Sequence, residues 1–126
     1  MLIFAAKGTT AAAALALPFL QDPDREFVSS EYVRLEVLPK PTCFRLDAEV
    51  EFYDTFFSLN SRIVPTSHAL LELAMEEACR YGLSAIDAIH IASAVFGGAE
   101  EMVTSEKATK PMHRTNLVRV VSIFPE

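Results

Sequence analysis

Several features expected of secreted, membrane-bound or broadly basic proteins are missing from this sequence. Its two cysteines, Cys43 and Cys79, are isolated, with no CxxC or metal-ligand spacing; the pattern fits two reduced thiols in a cytoplasmic protein. The longest apolar run, residues 11–20, is interrupted by Pro18 and falls short of the ~20 residues a membrane-spanning helix needs. A leader peptide fits poorly although Ala14-Leu15-Ala16 mimics a cleavage site, because the early charge, Lys7, follows the apolar residues 2–6 instead of preceding them. Positive charge is scarce: 11 Lys and Arg stand against 17 Asp and Glu, a net −6. That argues against gripping nucleic acid through a broad basic face, yet it is compatible with a metal site built from carboxylates, whose charge bound cations partly cancel. No internal repeat, low-complexity tract or linker divides the chain, so its 126 residues form one domain, 1–126, with room for a continuous core.

The most informative stretch is residues 83–98, LSAIDAIHIASAVFGG, where an acid sits inside an otherwise apolar helix. Ser84 is a good N-cap, and Asp87 follows at capping-box spacing. Beyond it Ile86, Ile89, Ile91, Ala92, Ala94, Val95 and Phe96 are apolar nearly all round, which predicts a helix packed between other elements. Asp87 and His90 share an edge with Ala94 or Gly97. Asp87 is either a carboxylate favoured by its own helix N-terminus or a group with chemistry to do; His90 reads as a core histidine bonded to backbone.

In chain order, residues 1–7 are apolar and form either a short strand or a first helical turn. Thr9 or Thr10 caps a helix to about Leu20, bent or ended by Pro18. Residues 26–29 read as a strand, and Ser29-Ser30 caps a helix to about Leu38. The PKP at 39–41 is a break. Helical spacing resumes over 46–59 with Val50, Tyr53, Phe56 and Phe57 inward and Asp47, Glu49, Glu51 and Asp54 as a solvated face. Residues 62–65 form a strand. Thr66 or Ser67 then caps a helix to about Tyr81, with Leu70, Leu71, Leu73, Ala74 and Ala78 inward, Glu72, Glu76 and Glu77 mostly outward, and Gly82 as the stop. Strands at 101–104 and 117–124 complete the chain. Strands alternating with helices imply an α/β fold with a mainly parallel central sheet and helices on both faces.

Ligands of open parallel sheets bind beyond the carboxyl ends of the strands. Thr104-Ser105-Glu106 lies at such an end, as does the segment from Ser29 to Glu36. If Asp87 opens its helix on the same side, Glu36, Asp87 and Glu106 converge. Three such carboxylates repel one another unless a cation sits between them, and hard oxygen ligands suit Mg²⁺ or Mn²⁺. The chemistry this suggests is metal-assisted phosphoryl transfer. The other reading of these acids is helix caps and surface charges of an α/β domain that is no nuclease.

SSEYVRLEVLPK, LSAIDAIHIASA and MVTSEK, in that order and spacing, resemble the PIN-domain family, in particular its VapC-like toxin ribonucleases. The resemblance covers nearly the whole chain, with DAIHIASA its most specific part. It implies a three-layer α/β fold whose acidic cluster, here Glu36, Asp87 and Glu106, binds one or two Mg²⁺ or Mn²⁺ ions and hydrolyses RNA, with Ser105 as a small polar neighbour that orients a ligand or a phosphate. It also implies silencing by a small antitoxin protein and a homodimer; that no membrane is involved is expected from the short apolar runs instead. Lys107, Lys110, His113 and Arg114, just after Glu106, are candidates for steering RNA; their other reading is a solvated loop.

Two departures stand out. Glu106 occupies a place where aspartate is usual. The family also opens with a strand ending in aspartate, and this chain begins inside that pattern at Leu2-Ile3. Either residues 1–6 substitute for that strand or the natural start lies upstream; the smooth continuation of the pattern in LIFAAKG favours the upstream start. The alternative to a ribonuclease is a catalytically impaired module that binds an antitoxin or RNA without cleavage.

Overall fold

The computed structural model describes residues 17–59 and 61–124. Residues 17–21 are helical. There follow β1 (Phe27–Ser30), α1 (Glu31–Val37), α2 (Pro39–Cys43), α3 (Asp47–Leu59), β2 (Ser61–Val64), α4 (His68–Tyr81), α5 (Ala85–Phe96), β3 (Glu101–Thr104), a 3₁₀ turn (Pro111–Arg114) and β4 (Arg119–Ser122). The reading of residues 1–7, and most of the helix expected from Thr9 or Thr10, lie outside the described residues. No helix among the described residues is long and apolar enough to cross a membrane.

Serine side chains start three helices. Ser30, Ser67 and Ser84 each hold an extended backbone and accept a hydrogen bond from the N–H three residues on, that of Val33, Leu70 and Asp87, which satisfies one of the orphan donors of the first turn. Gly82 ends α4 at φ 67°, a left-handed backbone open to glycine at little cost. Replacing Ser30, which is buried, by alanine is expected to cost about 1 kcal/mol. Urea unfolding of Ser30→Ala checks this, and an unchanged midpoint would refute the cap's contribution.

The PKP segment continues helically as α2 where a break is expected. Pro39 sits at the first helical position and Pro41 two residues on, inside the first turn, where missing N–H groups have no intrahelical partner to lose. The last strand is also shorter than the pattern suggests, its ladder covering Arg119–Ser122 alone.

The α/β architecture is present, with every described ladder parallel. β1 pairs with β2, Phe27 opposite Ser61 through Ser30 opposite Val64, and β3 pairs with β4, Glu101 opposite Arg119 through Thr104 opposite Ser122. Helical segments make the crossovers that parallel pairs require. Among the described residues no ladder joins β1 to β3, so the strands form two parallel pairs. Arg25 ties their amino ends together, donating to Glu101 at 2.6 Å.

Three apolar clusters hold these parts. Val64, Leu70, Ala74, Ala88 and Ala92 form one; Val37, Tyr53 and Phe57 a second; Ile91, Ala94, Met112 and Val118 a third. Helix α5 contributes to two of them, as its nearly all-round apolarity predicts, although Ile86 and Phe96 remain exposed. At its end Gly97 packs so closely that a Cβ there would run into the Val28 and Val64 side chains.

Two glutamates expected on solvated faces are turned to other use. Glu77 is buried and accepts a hydrogen bond from Thr115 Oγ1 at 2.8 Å, which offsets part of the cost of enclosing a carboxylate. Glu49 accepts from Tyr53 Oη at 2.9 Å; burial, then this bond, pushes the phenol pKa well above its ordinary value. Leu71, expected inward, is exposed. Glu31 accepts from the Thr66 hydroxyl at 2.7 Å and from the Thr66 N–H at 3.1 Å, and these bonds hold its carboxyl below the usual range. Their contribution is therefore present above that range and fades as pH falls through the lowered value.

Candidate functional site

Between the two strand pairs lies a cleft of about 1020 Å³, lined by β1 and β3 and floored by one side of α5. Each of these strands has, among the described residues, a ladder on one edge alone. From α5 and its cap the cleft is lined by Ile86, Asp87, His90, Ser93, Ala94 and Gly97, a set that recurs every three or four residues and so forms one stripe down the helix. His90 lies in the middle of that stripe.

Glu36, Asp87 and Glu106 all line this cleft, although they come from the end of α1, the first turn of α5 and the loop after β3. Ser105 lines it too. The local causes are plain. The Ser84 cap begins α5 so that Asp87 falls in its first turn. The Thr104 hydroxyl accepts from the Glu106 N–H at 3.1 Å, turning the chain at the strand's carboxyl end. The Ser30 cap starts α1 directly from β1, which brings Glu36 round near the helix end.

The electrostatic setting is acidic. Asp22, Asp24, Glu26, Glu100 and Glu101 also line the cleft, against Arg25, Arg62 and His90. Arg25 is engaged with Glu101 and with Asp22 at 3.5 Å, and Arg62 donates to the Gly97 carbonyl. The Asp87 and Glu106 carboxylates have no hydrogen-bond or ion-pair partner among the described residues. Among the described residues Glu36 approaches one charged partner, His90 Nε2 at 3.6 Å from its Oε2. A set of unneutralised carboxylates has the chemistry that a hard divalent cation requires. They are not drawn together into a ready cage: among the described residues no group of three His, Cys, Asp or Glu side chains stands close enough to hold an ion.

The basic segment sits to one side. Lys107, Lys110 and Arg114 are exposed on the connector and the 3₁₀ turn, outside the cleft lining, and the His113 ring faces the Glu106 carbonyl at 3.3 Å. His90 departs from its sequence reading, since it faces the cleft and a carboxylate in place of a backbone partner. Ser93 was not apparent as a feature; its buried hydroxyl has no hydrogen-bond partner among the described residues, and the signal available for it was its place at the border of the α5 stripe.

A family model described as PIN domain matches residues 2–111 of the chain. No curated protein and no solved structure matches it.

Proposed function

The chain belongs to the PIN domain family, and from that premise we propose that it is a Mg²⁺- or Mn²⁺-dependent endoribonuclease of the VapC-like toxin type. It acts in the cytoplasm as a single domain over residues 1–126, hydrolysing RNA phosphodiesters. The observation that carries the reading is that Glu36, Asp87 and Glu106, remote in sequence, line one cleft that runs along the parallel strands β1 and β3, with Glu106 just past the carboxyl end of β3.

In this reading Glu36, Asp87 and Glu106 hold the cation directly or through water. Bound divalent cations supply Lewis-acid polarisation of the scissile phosphate and an activated water. Ser105 orients a ligand or a phosphate oxygen. Lys107, Lys110, His113 and Arg114 draw the RNA towards the cleft from beside Glu106, supplying locally the positive potential that the molecule as a whole lacks. A small antitoxin silences the enzyme, and two copies pair as a homodimer.

Cleavage of RNA in Mn²⁺, abolished by EDTA and restored by excess Mn²⁺, is the expected behaviour. Absence of cleavage together with absence of Mn²⁺ binding at millimolar concentration would overturn the proposal. A second reading, a PIN-like module that binds an antitoxin or RNA without cutting it, is favoured by the lack of a gathered three-residue metal cage among the described residues. Tight RNA or antitoxin binding without turnover would select it.

A further inference from the structure

At the amino end of the cleft a single cation is set among acids. Asp22, Asp24 and Glu26 flank Arg25 in the chain, Glu100 and Glu101 stand where β3 begins, and all of them line the cleft. Arg25, just before β1, donates from Nη1 to Glu101 Oε1 at 2.6 Å, reaching the first residue of β3. The bond therefore runs from one parallel strand pair to the other at their amino ends. Its guanidinium is held ready for this. The turn that carries it is closed by the Arg25 N–H donating to the Asp22 carbonyl at 3.3 Å and the Asp24 N–H donating to Asp22 Oδ1 at 2.9 Å. Asp22 Oδ2 lies 3.5 Å from Arg25 Nε, and the Phe19 ring centre lies 5.1 Å from the guanidinium carbon. A side chain already placed by its neighbours gives up little rotamer freedom in reaching one more partner.

We infer that Arg25 is an electrostatic latch across the amino end of the cleft: it holds the two strand pairs together there against the mutual repulsion of the acids around it, and so governs how readily that end opens. The physical basis is a change of sign. Asp22 and Glu101 share one guanidinium; without it the two carboxylates face each other well within the Debye length of about 10 Å, and attraction across the seam becomes repulsion. The latch requires no bound ion and stands apart from the ribonuclease reading.

Two measurements test it on the whole chain with Cys43 and Cys79 replaced by serine. The first is the sign of a double-mutant cycle in thermal melting. Glu101→Gln is expected to lower the melting temperature by about 2–5 °C beside the native Arg25, and to raise it in an Arg25→Gln background, where the carboxylate contributes repulsion alone. The second is opening, read from the labelling rate of a thiol introduced by Ser93→Cys, at a buried position lining the cleft. Arg25→Gln is expected to speed that labelling about three- to tenfold, and Arg25→Lys, which keeps the charge, to recover most of the difference. A role of Arg25 confined to packing on Phe19 would give Glu101→Gln the same sign in both backgrounds, and that result overturns the latch, as does a labelling rate unmoved by Arg25→Gln. Should Arg25→Gln fail to fold, Glu101→Gln decides: an unchanged melting temperature or labelling rate overturns the inference.

Discussion

Asp87→Asn is expected to lower Mn²⁺-dependent RNA cleavage by roughly a hundredfold or more while leaving the domain folded. The size follows from the role. A metal ligand that loses its charge gives up several kcal/mol of transition-state stabilisation, and each ~1.4 kcal/mol is a factor of ten in rate. The fold is spared for a local reason: the Ser84 cap bonds to the backbone N–H of residue 87, which asparagine keeps. What stability loses is the attraction of the carboxylate to its helix N-terminus, about 0.3–1 kcal/mol. Single-turnover cleavage of a labelled RNA, run beside a thermal melt, separates the two. Cleavage that survives the substitution would dispose of the role given to Asp87. A large fall in melting temperature would return it to the alternative reading of a structural carboxylate.

The largest effect on stability is expected from Ile91→Ala, at about 2–5 kcal/mol. Ile91 is fully enclosed, packed with Ala94, Met112 and Val118 where α5 meets the β3–β4 half of the molecule. Truncation removes three carbons from a site whose neighbours are held by a helix and a 3₁₀ turn, so the cavity has little means to collapse. Against a typical total of 5–15 kcal/mol this is a large fraction. The urea midpoint should fall with the slope unchanged, and a cost below about 1 kcal/mol would mean that the cluster is looser than its burial indicates.

What could be read in advance was mostly local. The serine caps, the glycine stop after Tyr81 and the α5 helix are short-range events between neighbours in the chain, so residue type and spacing suffice to find them. The PKP segment was open to the opposite reading because proline forbids the middle of a helix but suits its first turn, and pattern alone did not say which position each proline holds. Glu77 and Glu31 depend on Thr115 and Thr66, partners far along the chain, and no periodicity on one helix reveals a bond to a distant loop. Glu49 was within reach, since Tyr53 lies one turn away on α3. In the site, the rule that strand ends gather ligands singled out Glu36, Asp87 and Glu106; all three line one cleft, but among the described residues they do not close on a common point. The approach of His90 to Glu36 was not legible in this way, because it joins side chains of two elements far apart in the chain, a matter of tertiary packing.

Helix α5 is stitched to both halves of the molecule, through Ala88 and Ala92 on one flank and Ile91 and Ala94 on another. It therefore works as a keel: neither strand pair can drift without dragging it, and Asp87 rides at its prow. A perturbation on either side reaches this carboxylate through a rod a few turns long that both clusters grip.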